Sequence, residues 1–457
     1  MSNLDQILSN MEPRLVETLK AWVKIPSVLG KAEPGAPFGK DLRVMLDRAL
    51  SDCAALDFDT ADFGGYIGHA EFGEGNDEDA LAILAHLDVV PVGDGWTMDP
   101  FGGEVRDGRI YARGASDDKG PAVAALYAMA AVKQAGIPLK RKVRLILGCD
   151  EESGMKDIAH YQKVTVMPRS GFSPDATYPV INIEKGLYVL TLKGKPDNEG
   201  LRVLRFVTGE RRNVVPGMAQ AGVEGDEALA QRALAIAASY GWPATAHAEN
   251  GQVHLQTTGI NGHAAFPHLA RNAIGQMLII LRDLGATGAW KQLADAIGTE
   301  YHGEHLGIAV EDGASGKLTC NLGIIQYEGD DIVATLDIRY PLLANPTLLP
   351  ILARQQLPGF VVTGQDSKGP HFVPKDSSLV QALLDAYHEV TGLERKAIAI
   401  GGGTYARALR EGVAFGALFP GEKDIAHQAD EYASLESLYK SMRIFAHAIV
   451  KLAAKED

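Results

Sequence analysis

Residues 81–90 read LAILAHLDVV. An apolar run this short and continuous is what a strand buried on both faces looks like. It carries a histidine near its end, followed two residues on by an aspartate. A second such run, KVRLILGCDEES (142–153), ends in acids. Between them, GPAVAALYAMAAVKQAGI (120–137) is rich in alanine, with Pro at its start and Gly near its end, the punctuation of a helix. Strands alternating with helices predict an α/β layer with a largely parallel central sheet. In such sheets ligands sit in the crevice outside the carboxyl ends of the strands.

The chain has 457 residues, more than the ~250–300 at which single cores stop growing, so two domains are expected. The middle changes style. LYVLTLKGKP (187–196), QVHLQTTG (252–259) and DIVATLDIRYP (331–341) alternate apolar and polar residues, as one-faced strands do. Helical runs such as ARNAIGQMLIILRDLG (270–285) lie among them. The first style returns near SSLVQALLDAYHEVTG (377–392) and continues through KAIAIGGG (396–403) and VAFGALFPG (413–421). The prediction is a split domain, 1–185 plus 380–457, around an α+β insert at 186–379.

The formal net charge of -14 argues against nucleic acid or an acidic membrane as partner, since both require clustered Lys and Arg. The three cysteines, Cys53, Cys149 and Cys320, form no CxxC pair and no disulfide framework. The first 28 residues carry charges throughout and do not read as a secretory signal. No stretch approaches the ~18 consecutive apolar residues of a membrane span. A cytoplasmic location is expected.

Acids and histidines recur where strands end: His86 and Asp88 in AHLDVVP, Asp117 and Asp118 in GASDDKGP, Glu151 and Glu152 in GCDEES, Asp175 in SPDATYP, and His427 in AHQADEY. Taken singly, each has a plain reading as a hydrogen-bonded core histidine, a solvated turn or a turn former. Taken together, histidines and carboxylates without thiolates suit two zinc-like divalent ions. Two ions about 3.5–4 Å apart need a bridging ligand. Asp117, flanked by small residues, is a candidate. Composition and spacing alone reach a metal site and go no further.

As a set, HLDVVP, YARGASDDKGP, CDEESG, PDATYP and HQADE occur in the order and with the flanks of the two-zinc aminoacylase/carboxypeptidase G metallopeptidase family, and the chain most resembles its PepV-type dipeptidases. GERRNVVPG (209–217), GHAAFP (262–267), LDIRYP (336–341) and GGGTYAR (401–407) extend the likeness over nearly the whole chain. The resemblance implies a catalytic domain with an inserted lid domain. It implies Asp117 as the bridge, His86 and Asp175 on one metal, and Glu152 and His427 on the other. It makes Asp88 the carboxylate that orients His86, and Glu151 the general base. It also implies a cis peptide between Asp117 and Asp118. From the lid, His263 is implied as donor to the oxyanion and Asn213 as a substrate contact. Arg339 suits a substrate α-carboxylate, and Gly402, Gly403 and Thr404 would bring backbone N–H groups to the ligand.

The plain readings stay open beside these. His268 competes with His263. Arg339 could be a strand-face ion pair with Asp337. His69, His160, His302, His305 and His447 read as structural or surface residues. The implied activity is hydrolysis of unblocked dipeptides by a monomer holding two divalent ions, Zn2+ with Mn2+ or Co2+ as alternatives. A deacylase or carboxypeptidase of the same family, and a non-catalytic binding protein, are the rivals.

Overall fold

The computed structural model describes residues 2–196 and 199–455. The chain divides into two compact units. One comprises Met1–Asn182, Phe372–Ile398 and Gly403–Asp457; the other comprises Ile183–His371 and Ala399–Gly402. The chain re-enters the first unit at Phe372, ahead of the 380 expected from sequence. There Val373 N donates to Asn182 O at 2.9 Å, and Asn182 Nδ2 donates to Val373 O at 2.8 Å.

The first unit is built on a mixed sheet. Its strands run Asp59–Asp62, Ile67–Phe72, Val143–Gly148, Leu81–His86, Ser170–Ser173, Glu411–Ala414 and on to Val180–Glu184. From Val143–Gly148 to Glu411–Ala414 the pairing is parallel. Outside that stretch it turns antiparallel. Leu81–His86 and Val143–Gly148 are buried at every position, which explains their unbroken apolar sequence. Their register puts His86 opposite Gly148, so both strands end level and pass their acids to the same edge.

Helix Lys119–Gln134 is buried from Lys119 to Val132; its alanines let neighbours approach from all sides. It packs against Leu435–Ala453 and Ser2–Val23. The latter is the charged N-terminal segment, and it turns Leu8, Leu15, Leu19 and Trp22 fully inward. On the sheet, Phe172 meets Phe415 and Phe445, each with ring centroids 5.5 Å away.

The second unit is α+β. Its sheet is antiparallel throughout, in the order Ala244–Glu249, Gln252–Thr258, Met218–Glu224, Val203–Thr208, Thr319–Tyr327, Ile332–Tyr340, Gly186–Gly194, Phe360–Lys368. Gln252–Thr258 alternates exposed and buried residues, as its sequence pattern requires. Helices Glu227–Ser239 and Ala273–Leu284 supply the apolar cover. Asn272 caps the second of these through Ile274 N and Gly275 N, and Gly285 ends it at φ 111°. Among the described residues no helix is long and apolar enough to cross a membrane.

His69 gives the first unit an acid sensitivity. It is buried in Ile67–Phe72, with Nδ1 2.7 Å from the Tyr161 hydroxyl, which also takes Arg144 Nη1 at 3.4 Å. Burial and the nearby Arg144 lower its pKa to about 4. The unfolded chain, with an ordinary histidine, therefore binds the extra proton first. The stabilisation is complete above about pH 6.5 and is lost as pH falls through 4, on the order of 3 kcal/mol in all. Urea unfolding at pH 7 and pH 4.5 should show a steep loss in the wild type and a shallower one in His69→Gln.

Candidate active site

His86 ends its strand fully buried. Its main-chain N–H donates to Asp118 Oδ2 at 3.1 Å. Its Nδ1 lies 3.0 Å from the Asp88 carbonyl, which can only accept, so Nδ1 carries a proton and the ring is turned with Nε2 toward the carboxylates. Nε2 is 2.9 Å from Asp117 Oδ1 and 3.8 Å from Asp175 Oδ2. The Asp88 carboxylate sits farther from the ring, with Oδ1 3.5 Å from Nδ1. It accepts instead from Glu151 N at 3.2 Å and Glu152 N at 3.0 Å. Asp88 thus orients His86 through its carbonyl and holds the next turn with its side chain.

The GASDDKGP loop wraps tightly. Gly114 has φ 84°, and a Cβ there would lie 2.7 Å from Val89 Cγ1. A Cβ on Gly120 would lie 2.1 Å from the Ala115 carbonyl oxygen. The Asp117–Asp118 peptide is cis. The ammonium of the motif faces away from Asp117: Lys119 Nζ is buried and donates to Ile25 O at 2.8 Å and Trp22 O at 3.2 Å. Burial lowers its pKa to about 7, against the pull of Glu431 and Asp88.

The turn after Val143–Gly148 is held from below. Asp157 Oδ2 accepts from Cys149 N at 2.7 Å and Asp150 N at 2.9 Å, and the Tyr405 hydroxyl donates to the same oxygen. This presents Glu151 and Glu152 at the strand end. His427, half exposed and at φ 64°, comes from a loop. Its Nε2 is 2.7 Å from Glu152 Oε1 and 3.0 Å from Asp117 Oδ2. One ligand atom each from His86, Glu151 and Asp175 lies within 4.8 Å of the others, and so do those from His86, Asp117 and Glu152.

The cluster is short of positive charge. Burial, with Glu152, Asp88 and Asp117 nearby and His86 opposing, pushes Glu151 up to about 8. Burial and Asp117 raise Asp175 well above the carboxylate range. Asp117 is held below that range, in spite of its burial, by His427 and His86. His427 rises to about 10: burial opposes this, but Asp117 and Glu152 outweigh it. Imidazole nitrogens and carboxylate oxygens, without thiolates and with excess negative charge, fit divalent cations of the zinc class.

In the second unit, His263 lies in a two-stranded ribbon of Val214–Val215 and Gly262–His263, and Asn213 immediately precedes it. Val214 pairs with His263, and Ala264 N donates to Asn213 O at 2.9 Å. His263 Nδ1 accepts from Ala265 N at 3.3 Å. His268 is exposed in the turn Pro267–Leu269. Arg339 is buried; it pairs side-on with Asp337 through Nε and Nη2, and Nη1 donates to Gly401 O at 2.8 Å. The ion pair left open by the sequence is therefore present. Gly402 and Gly403 are half-buried. Thr404 Oγ1 accepts from Ala406 N at 3.1 Å, capping the turn Tyr405–Ala408.

Other histidines are tied into their surroundings. His160 stacks on Tyr66, His302 Nδ1 lies 2.7 Å from Leu318 O, and His447 sits near Asp5 and Glu389. Sequence reasoning passed over Arg113, Asp157, Tyr405 and Glu431, all buried around the cluster. Arg113, Tyr405 and Glu431 lie inside quoted motifs, where a charged or hydroxylated residue beside a candidate ligand was the available signal.

The family model described as peptidase family M20/M25/M40 matches residues 82–451, and the chain belongs to that family. It is a metal-dependent peptidase. Among its relatives is YtjP of Bacillus subtilis (strain 168), whose name proposes a dipeptidase. The two are 39% identical over 452 residues, 96% of this chain and 97% of the relative. The Beta-Ala-Xaa dipeptidase of Lactobacillus delbrueckii subsp. lactis is 32% identical over 468 residues, 100% of this chain and 99% of its own. Of solved structures, human carnosine dipeptidase 1 aligns with 99% of this chain and 98% of its own, at a TM-score of 0.59 and 14% identity. The aminoacylhistidine dipeptidase of Vibrio alginolyticus aligns with 98% of each chain, at 0.58 and 13%. At such identities these two share the fold.

Gly120→Ala tests the tight loop. The added methyl would meet the Ala115 carbonyl oxygen at 2.1 Å and Leu438 Cδ2 at 3.2 Å, so unfolding should become easier by about 1–3 kcal/mol, read from the urea midpoint.

Proposed function

We propose that this chain is a dipeptidase that hydrolyses unblocked dipeptides at two divalent ions, with Glu151 as general base. One observation carries the reading: Asp117 turns Oδ1 to His86 and Oδ2 to His427, the posture of a carboxylate that bridges two cations. His86 and Asp175 would complete one ion's ligands, and Glu152 and His427 the other's. Zn2+ suits these donors, and Mn2+ or Co2+ would be accepted. When bound, the ions supply Lewis acidity, acidifying water and polarising a carbonyl oxygen.

The chain's own groups do the rest. Glu151 takes a proton from the attacking water and returns it to the leaving amine, and its burial among carboxylates favours holding that proton in between. His263 accepts a backbone N–H at Nδ1, so its Nε2 carries the proton and can donate to the developing oxyanion, an interaction worth about 3–4 kcal/mol. Arg339 places three of its five N–H groups on Asp337 and Gly401. The two that remain suit a substrate α-carboxylate. Asn213, beside His263, and the backbone N–H groups of Gly402, Gly403 and Thr404 would contact the peptide.

The full-length likeness to a Beta-Ala-Xaa dipeptidase supports a dipeptide substrate. In this reading one chain supplies every group, and the working unit is a monomer. Its buried, unpaired Cys53, Cys149 and Cys320 suit a reducing cytoplasm.

The test is a panel of unblocked dipeptides, a tripeptide and an N-acetylated amino acid, with zinc or manganese restored. Dipeptides alone should be cleaved. Glu151→Gln should lose about 10²–10⁴-fold in rate while elemental analysis finds its metal content unchanged. Cleavage of the acetylated compound alone would make the protein a deacylase.

A further inference from the structure

His86 is carried by a strand. His427 is carried by no helix or strand; it sits in the segment 427–431 with two positive φ values, 64° at His427 and 56° at Asp430. That segment is nevertheless fastened at two points by groups the proposed reaction does not use.

The first fastening is Asp430. Its carboxylate accepts from Thr97 N at 2.8 Å, Met98 N at 3.3 Å and Thr97 Oγ1 at 2.7 Å. The second is Glu431, fully buried. Its Oε1 accepts from Ser116 N at 3.0 Å, Ser116 Oγ at 3.2 Å and Asp117 N at 3.3 Å. Its Oε2 lies 2.5 Å from Nη1 of the buried Arg113. Arg113 also donates to Gln428 O at 3.3 Å and Val92 O at 3.1 Å, and its guanidinium lies 5.3 Å from the Trp96 ring centroid. Glu431 O in turn accepts from Ala112 N at 3.0 Å. One carboxylate therefore grips the backbone of Asp117 while its arginine partner grips the residue after His427.

We propose that Arg113 and Glu431 are a positioning pair that sets the spacing between Asp117 and His427, and through it the affinity for the ion held by Asp117, Glu152 and His427. The proposal rests on the ligand assignment above. A buried ion pair is rarely the most stabilising way to fill its space, so stability alone does not account for this one. Partners that orient metal ligands typically change metal affinity 10–100-fold when altered. His86 has its own anchor in the Asp88 carbonyl, so its ion should be affected less.

Zinc titration of the metal-stripped full chain against a competing chelator tests this. The wild type should bind two ions. Glu431→Gln, folded by circular dichroism, should bind one ion 10–100-fold more weakly and the other with a smaller loss of affinity. Arg113→Lys, which keeps the charge but loses the fork, should fall between. Two ions held by Glu431→Gln with wild-type affinities would overturn the proposal and leave the pair purely structural. If Glu431→Gln does not fold, Arg113→Lys decides: it should weaken the same ion several-fold, and unchanged affinity there overturns the proposal equally. A wild type that takes up no second ion would instead overturn the ligand assignment, and the pair with it.

Discussion

The first unit is organised around carboxylates crowded at the carboxyl end of the parallel strands in a mixed sheet. Asp88, Asp117, Asp118, Glu151, Glu152 and Asp175 converge there, and His86 and His427 reach in among them. Gathering that much negative charge away from water is expensive unless cations or donors compensate. The pKa directions express the imbalance: Asp175 and Glu151 are driven toward their protonated forms, and His427 toward its charged one. Divalent ions relieve the same imbalance with far fewer atoms, which is why the donor set reads as a metal centre.

The carboxylates that touch no candidate ion position also follow one rule. Each accepts backbone N–H groups from a different segment. Asp88 takes those of Glu151 and Glu152, Asp118 that of His86, Asp157 those of Cys149 and Asp150, and Glu431 those of Ser116 and Asp117. Backbone groups near a sheet edge would otherwise be unpaired, and a charged acceptor makes the stronger bond. The segments carrying His86, Asp117 and Glu152 are thereby tied to one another by hydrogen bonds, without a helix or strand spanning them. A shift in one loop must move its neighbour, the condition for holding ligands at a fixed spacing.

Much of this was legible in the sequence, for physical reasons. Strands buried on both faces must be continuously apolar, so LAILAH and VRLILG announce themselves and their ends can be located. Helix Lys119–Gln134 was visible because alanine, Pro121 and Gly136 punctuate it. The anchoring residues were not legible. Asp157 lies inside an ordinary amphipathic helix, Lys156–Val164, and nothing in its neighbours says that it faces Cys149. Glu431 stood in plain view in HQADE, but its partner Arg113 is over three hundred residues earlier, a separation no local pattern spans. The return of the chain at Phe372 was equally hidden, because it depends on the hydrogen bonds between Val373 and Asn182.

Arg339 shows how sequence alternatives need not exclude each other. Read alone, it was either a strand-face partner of Asp337 or a clamp for a carboxylate, and the ion pair is present. The fork of a guanidinium is compatible with both, because Asp337 occupies one edge and leaves N–H groups on another. Free, this long side chain would lose about 2 kcal/mol of rotamer entropy on gripping a ligand. Held by Asp337 and by the Gly401 carbonyl, it has already lost that freedom. In the proposed clamp, the acid that cancels its charge would therefore also make it a better recognition group, since a neutralised but fixed guanidinium selects a carboxylate by geometry more than by field.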